Sequence, residues 1–339
     1  MTPVDANAAR LPAFMDYASL SSGLSVVARQ FERRAPVHAY LLTGPRGVGK
    51  ATFAQVLSAT LVCEKRDKPC GHCAACQRAL SGNDPDLIVV RPEGQKKIGV
   101  DRMREVIQTI SRHSFGGGYR VVMIEPVERM TPQAQNCLLK SLEEPDADIV
   151  FLLMSHEATA LLGTIASRCL RVKLPPWPDD VLARTLRARG FGESEIAATL
   201  PRSGGNIGLA LAMLSEGESD ARSFARQALE AASDADAVRL SARLKEDKEG
   251  AEGYLLALEQ ALHIGLLART GRLPLASVDM PQPWRWAAEH ANVGDWLDLM
   301  QAVFQARRLR EGQVNWQANA DHLMMRILEE RTKWQQLLA

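Results

Sequence analysis

Gly44-Pro45-Arg46-Gly47-Val48-Gly49-Lys50-Ala51-Thr52 is the stretch that decides the fold. Glycines at this spacing let backbone N–H groups close around phosphate oxygens. The lysine then reaches the terminal phosphates, and a hydroxyl directly after it holds magnesium. Here that last position is Ala51, which has no oxygen. Thr52 carries a hydroxyl, but a shift of one residue on a helix swings a side chain by about 100°, so it is a poor substitute. The flanks agree with a phosphate loop. Ala39 to Leu42 is an apolar run suited to a buried strand, and Phe53, Val56, Leu57, Thr60 and Leu61 recur at helical spacing. Strand, glycine loop and helix in that order put the loop amides at a helix N-terminus. A glycine turn that merely closes a strand–helix corner is the plainer alternative. Whether Gly44, Gly47, Gly49, Lys50 and Thr52 still hold ATP or ADP is open at this level.

The surroundings are those of an ordinary soluble protein. The chain has 339 residues, 46% hydrophobic and 24% charged, with a formal net charge of +1. That length suits two or three domains. A balanced charge excludes strong long-range attraction to nucleic acid or an anionic membrane. Met1 to Leu20 mixes Asp5, Arg10 and Asp16 with small residues, so no signal-peptide core is expected. The run Ile149 to Met154 is too short to cross a bilayer. A cytoplasmic protein with reduced cysteines is the expectation.

Four of the six cysteines fall together as Cys63, Cys70, Cys73 and Cys76, spaced C-x6-C-x2-C-x2-C. Each x2 pair lets a tight turn aim two thiolates at one ion, and four soft ligands complete the closed shell of structural zinc. Gly71 permits the turn, and Lys65, Arg66 and Lys68 offset thiolate charge. An iron–sulfur cluster is the rival for such spacing, usually with the fourth cysteine placed differently. His72 is a substitute ligand or a surface residue. Cys137 and Cys169 read as ordinary buried cysteines.

Leu87 to Val90, Val121 to Ile124, Ile149 to Met154 and Leu170 to Leu174 are further strand candidates. Helical patterns near Asp101 to Ser111, Pro132 to Glu143 and Glu157 to Ile165 separate them. This alternation predicts an α/β fold with a parallel sheet covered on both faces. Asp101 and Thr131 suit N-caps, and Pro132 a first helical position. A nucleotide hydrolase needs an acidic pair after its third strand. The chain reads Glu125-Pro126 there, and proline cannot act as a base. Glu125 is either a metal-binding carboxylate or a solvated corner residue.

The block Thr131-Pro132-Gln133-Ala134-Gln135-Asn136-Cys137-Leu138-Leu139-Lys140-Ser141-Leu142-Glu143-Glu144-Pro145, followed by Thr164-Ile165-Ala166-Ser167-Arg168-Cys169, resembles bacterial clamp-loader AAA+ subunits. The likeness runs from about Ala35 to Leu174, includes the cysteine cluster, and fades afterwards to architecture alone. It implies an AAA+ P-loop parallel-sheet module with an embedded zinc module, a helical lid and an all-α C-terminal collar. It also implies gamma or tau and delta clamp-loader subunits as partners, with the sliding clamp and primed DNA engaged through the complex, and no membrane. In similar ATPase-competent subunits a hydroxyl stands at the position of Ala51, an acid at that of Pro126, and a lid arginine at that of Gly208. Their absence together implies a member that does not hydrolyse ATP. Arg168 matches the arginine that such subunits offer to a neighbour's ATP. Pairing with a carboxylate of its own chain is the plainer reading of that residue.

Pro175-Pro176-Trp177-Pro178 reads as a boundary. The expected division is residues 1–175 for the loop-bearing module with its zinc module near 63–84, 176–215 for the lid, and 216–339 for the collar. The last part is helical throughout, with turns near Gly271 to Pro274 and Asp279 to Pro283. It holds Trp284, Trp286, Trp296, Trp316 and Trp334, expected mostly in its core. Arg307, Arg308 and Arg310 read as a solvated helix face. Two rival functions stand beside the main one. One is an active P-loop ATPase or nucleotide kinase using Thr52; the other is a zinc-dependent nucleic-acid-binding module.

Overall fold

The computed structural model describes residues 14–338 apart from 67, 94–95, 111–117, 147, 157–160, 215–219, 248–249, 276–277, 279 and 312–315. Asp5, Arg10, Ser111, Asp279 and the first residues of the helix expected from Glu157 lie outside the described residues. The chain divides into two compact units, residues 1–211 and 212–339.

The first unit is built on five strands: β1 (Ala39–Thr43), β2 (Leu87–Val90), β3 (Arg120–Ile124), β4 (Ile149–Ser155) and β5 (Leu170–Lys173). They pair in the order β2-β3-β4-β1-β5, every pair parallel. All residues of β3 and β4 are buried, as expected where helices cover both faces of a sheet. Alternation then sorts the side chains. Ala39, Leu41, Val122, Ile124, Phe151 and Leu153 join one core cluster, and the intervening residues face the other side.

The helices of this unit are α1 (Phe14–Leu20), α2 (Ser22–Glu32), α3 (Lys50–Val62), α4 (Ala74–Ser81), α5 (Val100–Ile110), α6 (Pro132–Glu143) and α7 (Gly163–Ala166). After them come α8 (Asp179–Ala188), α9 (Glu193–Ser203) and α10 (Ile207–Leu214), the last crossing the division between the units. Thr131 caps α6 as its side chain predicts, accepting from Ala134 N–H at 3.2 Å. Asp101 does not cap α5. That helix already begins at Val100, and Asp101 sits in its first turn, bonded to Arg104 at 3.0 Å. The helix expected over Glu157 to Ile165 is described only as the short α7.

The second unit is all helical: α11 (Asp220–Glu230), α12 (Asp234–Glu246), α13 (Ala251–Arg269), α14 (Gln282–His290), α15 (Val293–Glu311) and α16 (Trp316–Leu338). Trp284, Trp296 and Trp334 form its centre, with ring centroids 5.0 to 5.9 Å apart. Trp284 Nε1 donates to Leu229 O at 2.8 Å, which satisfies the polar end of a buried indole. Trp286 and Trp316 are half-buried against the same core. Of the α15 arginines, Arg308 is exposed as a solvated face requires, but Arg307 and Arg310 turn inward. Arg307 pairs with Glu252 at 2.9 Å and with Glu259, and Arg310 pairs with Glu252 at 3.2 Å, bracing α15 against α13. A run of cations on a helix carries no signal for carboxylates on another element, so the sequence could not reveal this.

Candidate functional site

The phosphate loop leaves β1 and enters α3, with Gly44 at φ 149°, Gly47 at 79° and Gly49 at 97°. These values lie where side chains other than hydrogen are strained, so the loop has the backbone its glycines were read to permit. A cavity of about 510 Å³ opens over it. The carboxyl ends of several strands feed this cavity: Arg91 follows β2, Glu125 and Pro126 follow β3, and His156 follows β4. Ligands bind at this end of a doubly covered parallel sheet. The three positions read as lacking hydrolytic groups, Ala51, Pro126 and Gly208, all line this one cavity.

Lys50 is 3% exposed. Its Nζ lies 2.8 Å from Gly44 O, 2.9 Å from Pro45 O and 2.8 Å from His156 Nδ1. Burial lowers its pKa to about 8, against the opposing pull of Glu125 and Glu128. The lysine is thus folded back on its own loop. Thr52 also lines the cavity beside Tyr17, whose hydroxyl donates to Gly49 O at 3.3 Å. Glu125 forms an ion pair with Arg91 at 3.2 Å, so it is neither free nor merely solvated. Arg46, Lys50, Arg91 and Arg189 make the wall predominantly cationic.

The segment around α10 closes directly on the loop. Gly208 N–H donates to Gly47 O at 2.8 Å, and Asn206 Nδ2 donates to Arg46 O at 2.7 Å. A Cβ at position 208 would stand 2.8 Å from Gly47 O and 3.0 Å from Gly47 Cα, closer than side chains pack. Gly208 therefore has a steric role here: it lets α10 lie backbone-to-backbone on the loop. Below, Trp177 Nε1 donates to Val48 O at 3.0 Å, and Trp177 N–H donates to Gly205 O at 2.8 Å. The indole packs 5.0 Å from Tyr17, whose ring packs 4.9 Å from Phe53 of α3. Sequence reasoning treated Trp177 as part of a boundary and did not single out Tyr17, Asn206 or His156. A large aromatic with one N–H donor among three prolines is the one available hint for Trp177.

At the other end of α3 the sulfurs of Cys63, Cys70, Cys73 and Cys76 all lie within 4.8 Å of one another. A tetrahedral zinc–thiolate shell with bonds of about 2.3 Å sets its sulfurs roughly 3.8 Å apart, so the four fit such a shell after a small contraction. Cys73 N–H donates to Cys70 Sγ at 3.4 Å and Cys76 N–H to Cys73 Sγ at 3.4 Å, the turn geometry expected of the x2 spacings. The amide of Cys73 leads the influences that lower the Cys70 thiol to about 6, favouring thiolate, whereas burial pushes Cys76 well up. A bound cation would favour the thiolate form throughout. His72 is exposed and turns its Nδ1 to Cys70 O at 2.7 Å, away from a ligand role. The cluster can hold a metal ion, in keeping with structural zinc. It packs on Ala59 and Val62 of α3, so the cysteine cluster and the phosphate loop share one helix. Cys169 is buried and Cys137 half-buried, both at the main sheet core.

Arg168, between α7 and β5, is not among the residues lining the loop cavity. Its guanidinium pairs with Glu143 at 2.6 Å and donates to Thr164 O at 2.9 Å. Within this chain it thus has the carboxylate partner of the plainer reading, while its side chain stays about one-third exposed.

With this geometry in view, comparison with known proteins is direct. A family described as DNA polymerase III, delta subunit, matches residues 21–178. The chain is 44% identical over 146 residues to DNA polymerase III subunit delta' of Pseudomonas aeruginosa, covering 42% of this chain and 44% of that one. It is 36% identical over 136 residues to subunit tau of Bacillus subtilis, covering 40% of this chain and 24% of the relative. A solved gamma subunit-related protein of Thermotoga maritima superposes with a TM-score of 0.49 at 17% identity, over 92% of this chain and 100% of that one. Among the described residues no helix is long and apolar enough to cross a membrane. Subunit delta' of Escherichia coli is 34% identical over 249 residues, 72% of this chain and 74% of that protein. Since that alignment is longer than the whole sheet-bearing stretch, the likeness is not confined to a nucleotide-binding motif, and the chain belongs to the family of DNA polymerase III delta' subunits.

Proposed function

We propose that this protein serves as the delta' subunit of a clamp loader without hydrolysing ATP itself, and that it lends Arg168 to the ATP site of a neighbouring subunit. Lys50 carries the first part. Its ammonium is occupied by two loop carbonyls and His156, beside positions with no magnesium-binding hydroxyl or water-activating acid. The cationic wall remains suited to phosphate, but the groups that would cleave one are missing. For Arg168 the support is its place away from its own loop and its partial exposure. An arginine supplied in trans stabilises charge on a transferring phosphoryl group, and in GTPases such a residue is worth about 10³ to 10⁵ in rate. The pair with Glu143 is surface-exposed, so exchanging it for a phosphate costs little.

On this reading the loop module runs to residue 175, the lid spans 176–215, residues 216–339 are the collar, and the cysteine cluster holds structural zinc. Gamma or tau and delta subunits are the direct partners, the clamp and primed DNA are reached through the assembly, and the setting is the cytoplasm. The test is reconstitution with gamma or tau and delta subunits. Arg168→Ala should assemble normally and lower the clamp- and DNA-stimulated ATPase at least tenfold at the affected site. Unchanged turnover would remove the role of Arg168. Magnesium-dependent ATP hydrolysis by the purified wild-type chain alone would overturn the non-hydrolysing reading and favour an active ATPase.

A further inference from the structure

Among the described residues one non-glycine residue has a positive φ, Arg34 at 52°. It stands just past Arg33, the C-cap of α2. Arg34 N–H donates to Phe31 O at 3.0 Å and Ala35 N–H to Gln30 O at 2.9 Å. These paired bonds close a helix end at a position where glycine is favoured, because a Cβ there meets the neighbouring carbonyl. An arginine holds this place at a conformational cost that glycine would avoid. Its side chain indicates what offsets that cost. Arg34 Nη2 donates to Cys63 O at 3.1 Å, while the Arg34 carbonyl accepts from Tyr119 Oη at 2.9 Å.

Cys63 is the C-cap of α3 and one of the four clustered sulfurs. Zinc bound by four thiolates keeps a net double negative charge. Here that charge would sit at the carbonyl end of a helix, where an anion is disfavoured. Lys65 and Arg66 are exposed on the segment that links Cys63 to Cys70. Arg34 differs from them: it comes from another element and grips the peptide group of a ligand. Such groups, bonded to the ligands and not to the metal, orient a site and tune its affinity.

We propose that Arg34 is a positioning residue of the metal site, fixing the Cys63 peptide and offsetting thiolate charge at the end of α3. This rests on the reading of the cluster as a zinc site. The test uses the full chain and begins with zinc content by elemental analysis. Zinc transfer to a chromogenic chelator and cobalt substitution are then followed in wild type, Arg34→Gly and Arg34→Lys. Arg34→Gly should bind zinc about 10-fold more weakly, the lower end of such effects because Arg34 is exposed. Its cobalt–thiolate spectrum should be unchanged, because the four sulfurs remain. Its metal-free melting temperature should be equal or higher, because glycine relieves the strained φ. Arg34→Lys should recover part of the affinity. Wild-type affinity in Arg34→Gly, or an affinity loss matched by a lower metal-free melting temperature, would overturn the proposal. A wild-type chain with no zinc would instead sink the zinc reading beneath it.

Discussion

Adding one methyl group at Gly208 tests whether α10 is held by direct backbone contact with the phosphate loop. The new Cβ would stand 2.8 Å from Gly47 O, 3.0 Å from Gly47 Cα and 3.3 Å from Gly47 C. All three are backbone atoms of a loop fixed at both ends, so neither a rotamer change nor a flexible tip can relieve the clash. The loop and the start of α10 must separate by several tenths of an ångström. That separation weakens the Gly208 N–H···Gly47 O bond, now 2.8 Å, and strains the Asn206 bond to Arg46 O at 2.7 Å. Overpacking of this kind costs about 1–3 kcal/mol, and a weakened hydrogen bond adds about 1 kcal/mol. Alanine returns at most about 1 kcal/mol over glycine, and less so close to a helix start. The expected net loss for Gly208→Ala is about 1–3 kcal/mol, or a melting temperature lower by roughly 2–10 °C for a unit of this size. Scanning calorimetry of the full chain measures this, and hydrogen exchange across residues 44–50 should show faster opening. A variant as stable as wild type or more so, with unchanged exchange at the loop, is what an ordinary helical glycine would give. That result would refute the contact as the anchor of α10.

Three further outcomes follow from the same geometry. Cys73→Ser should lose its metal in elemental analysis and melt at a lower temperature, since the cluster packs on α3; full metal retention would exclude Cys73 as a ligand. Lys50 has a folded pKa of about 8 against an ordinary 10.5, so between those pH values the unfolded chain binds more protons. Wild-type stability relative to Lys50→Met should therefore be level below pH 8 and rise as pH climbs from 8 towards 10.5, read from paired urea titrations; a flat difference would contradict the shift. Arg307→Ala should destabilise the second unit by roughly 1–3 kcal/mol, because half-buried Glu252 and Glu259 lose their charged donor. A change below about 0.5 kcal/mol, typical of an exposed pair, would return that arginine to the solvated face.

Much of the fold was legible because its determinants are local. The loop, the buried runs of β1 and β4 and the Thr131 cap each depend on residues within a few positions, and each appears where the chain predicts it. The cysteine cluster was legible for the same reason, three of its four ligands lying within seven residues. Asp101 failed as a cap because an acidic residue serves equally well in a first turn, and only backbone geometry separates the two. Arg307 and Arg310 misled because their carboxylates lie 48 to 58 residues away on α13.

Residue types and their spacing alone determined that a phosphate loop exists, that it lacks its magnesium hydroxyl, and that four thiols can converge on one ion. These are short-range facts, written in which atoms a residue has and how far a few peptide units reach. Only the tertiary structure decided what occupies the loop. Trp177, Tyr17 and Asn206 reach it from 129, 32 and 160 residues away, and Lys50 turns back on the loop carbonyls. Only it revealed that Gly208 is a contact surface, and that Arg34 reaches Cys63. The physical reason is that hydrogen bonding and close packing act over a few ångströms of space, and sequence separation does not record which distant segments the folded core brings within that range.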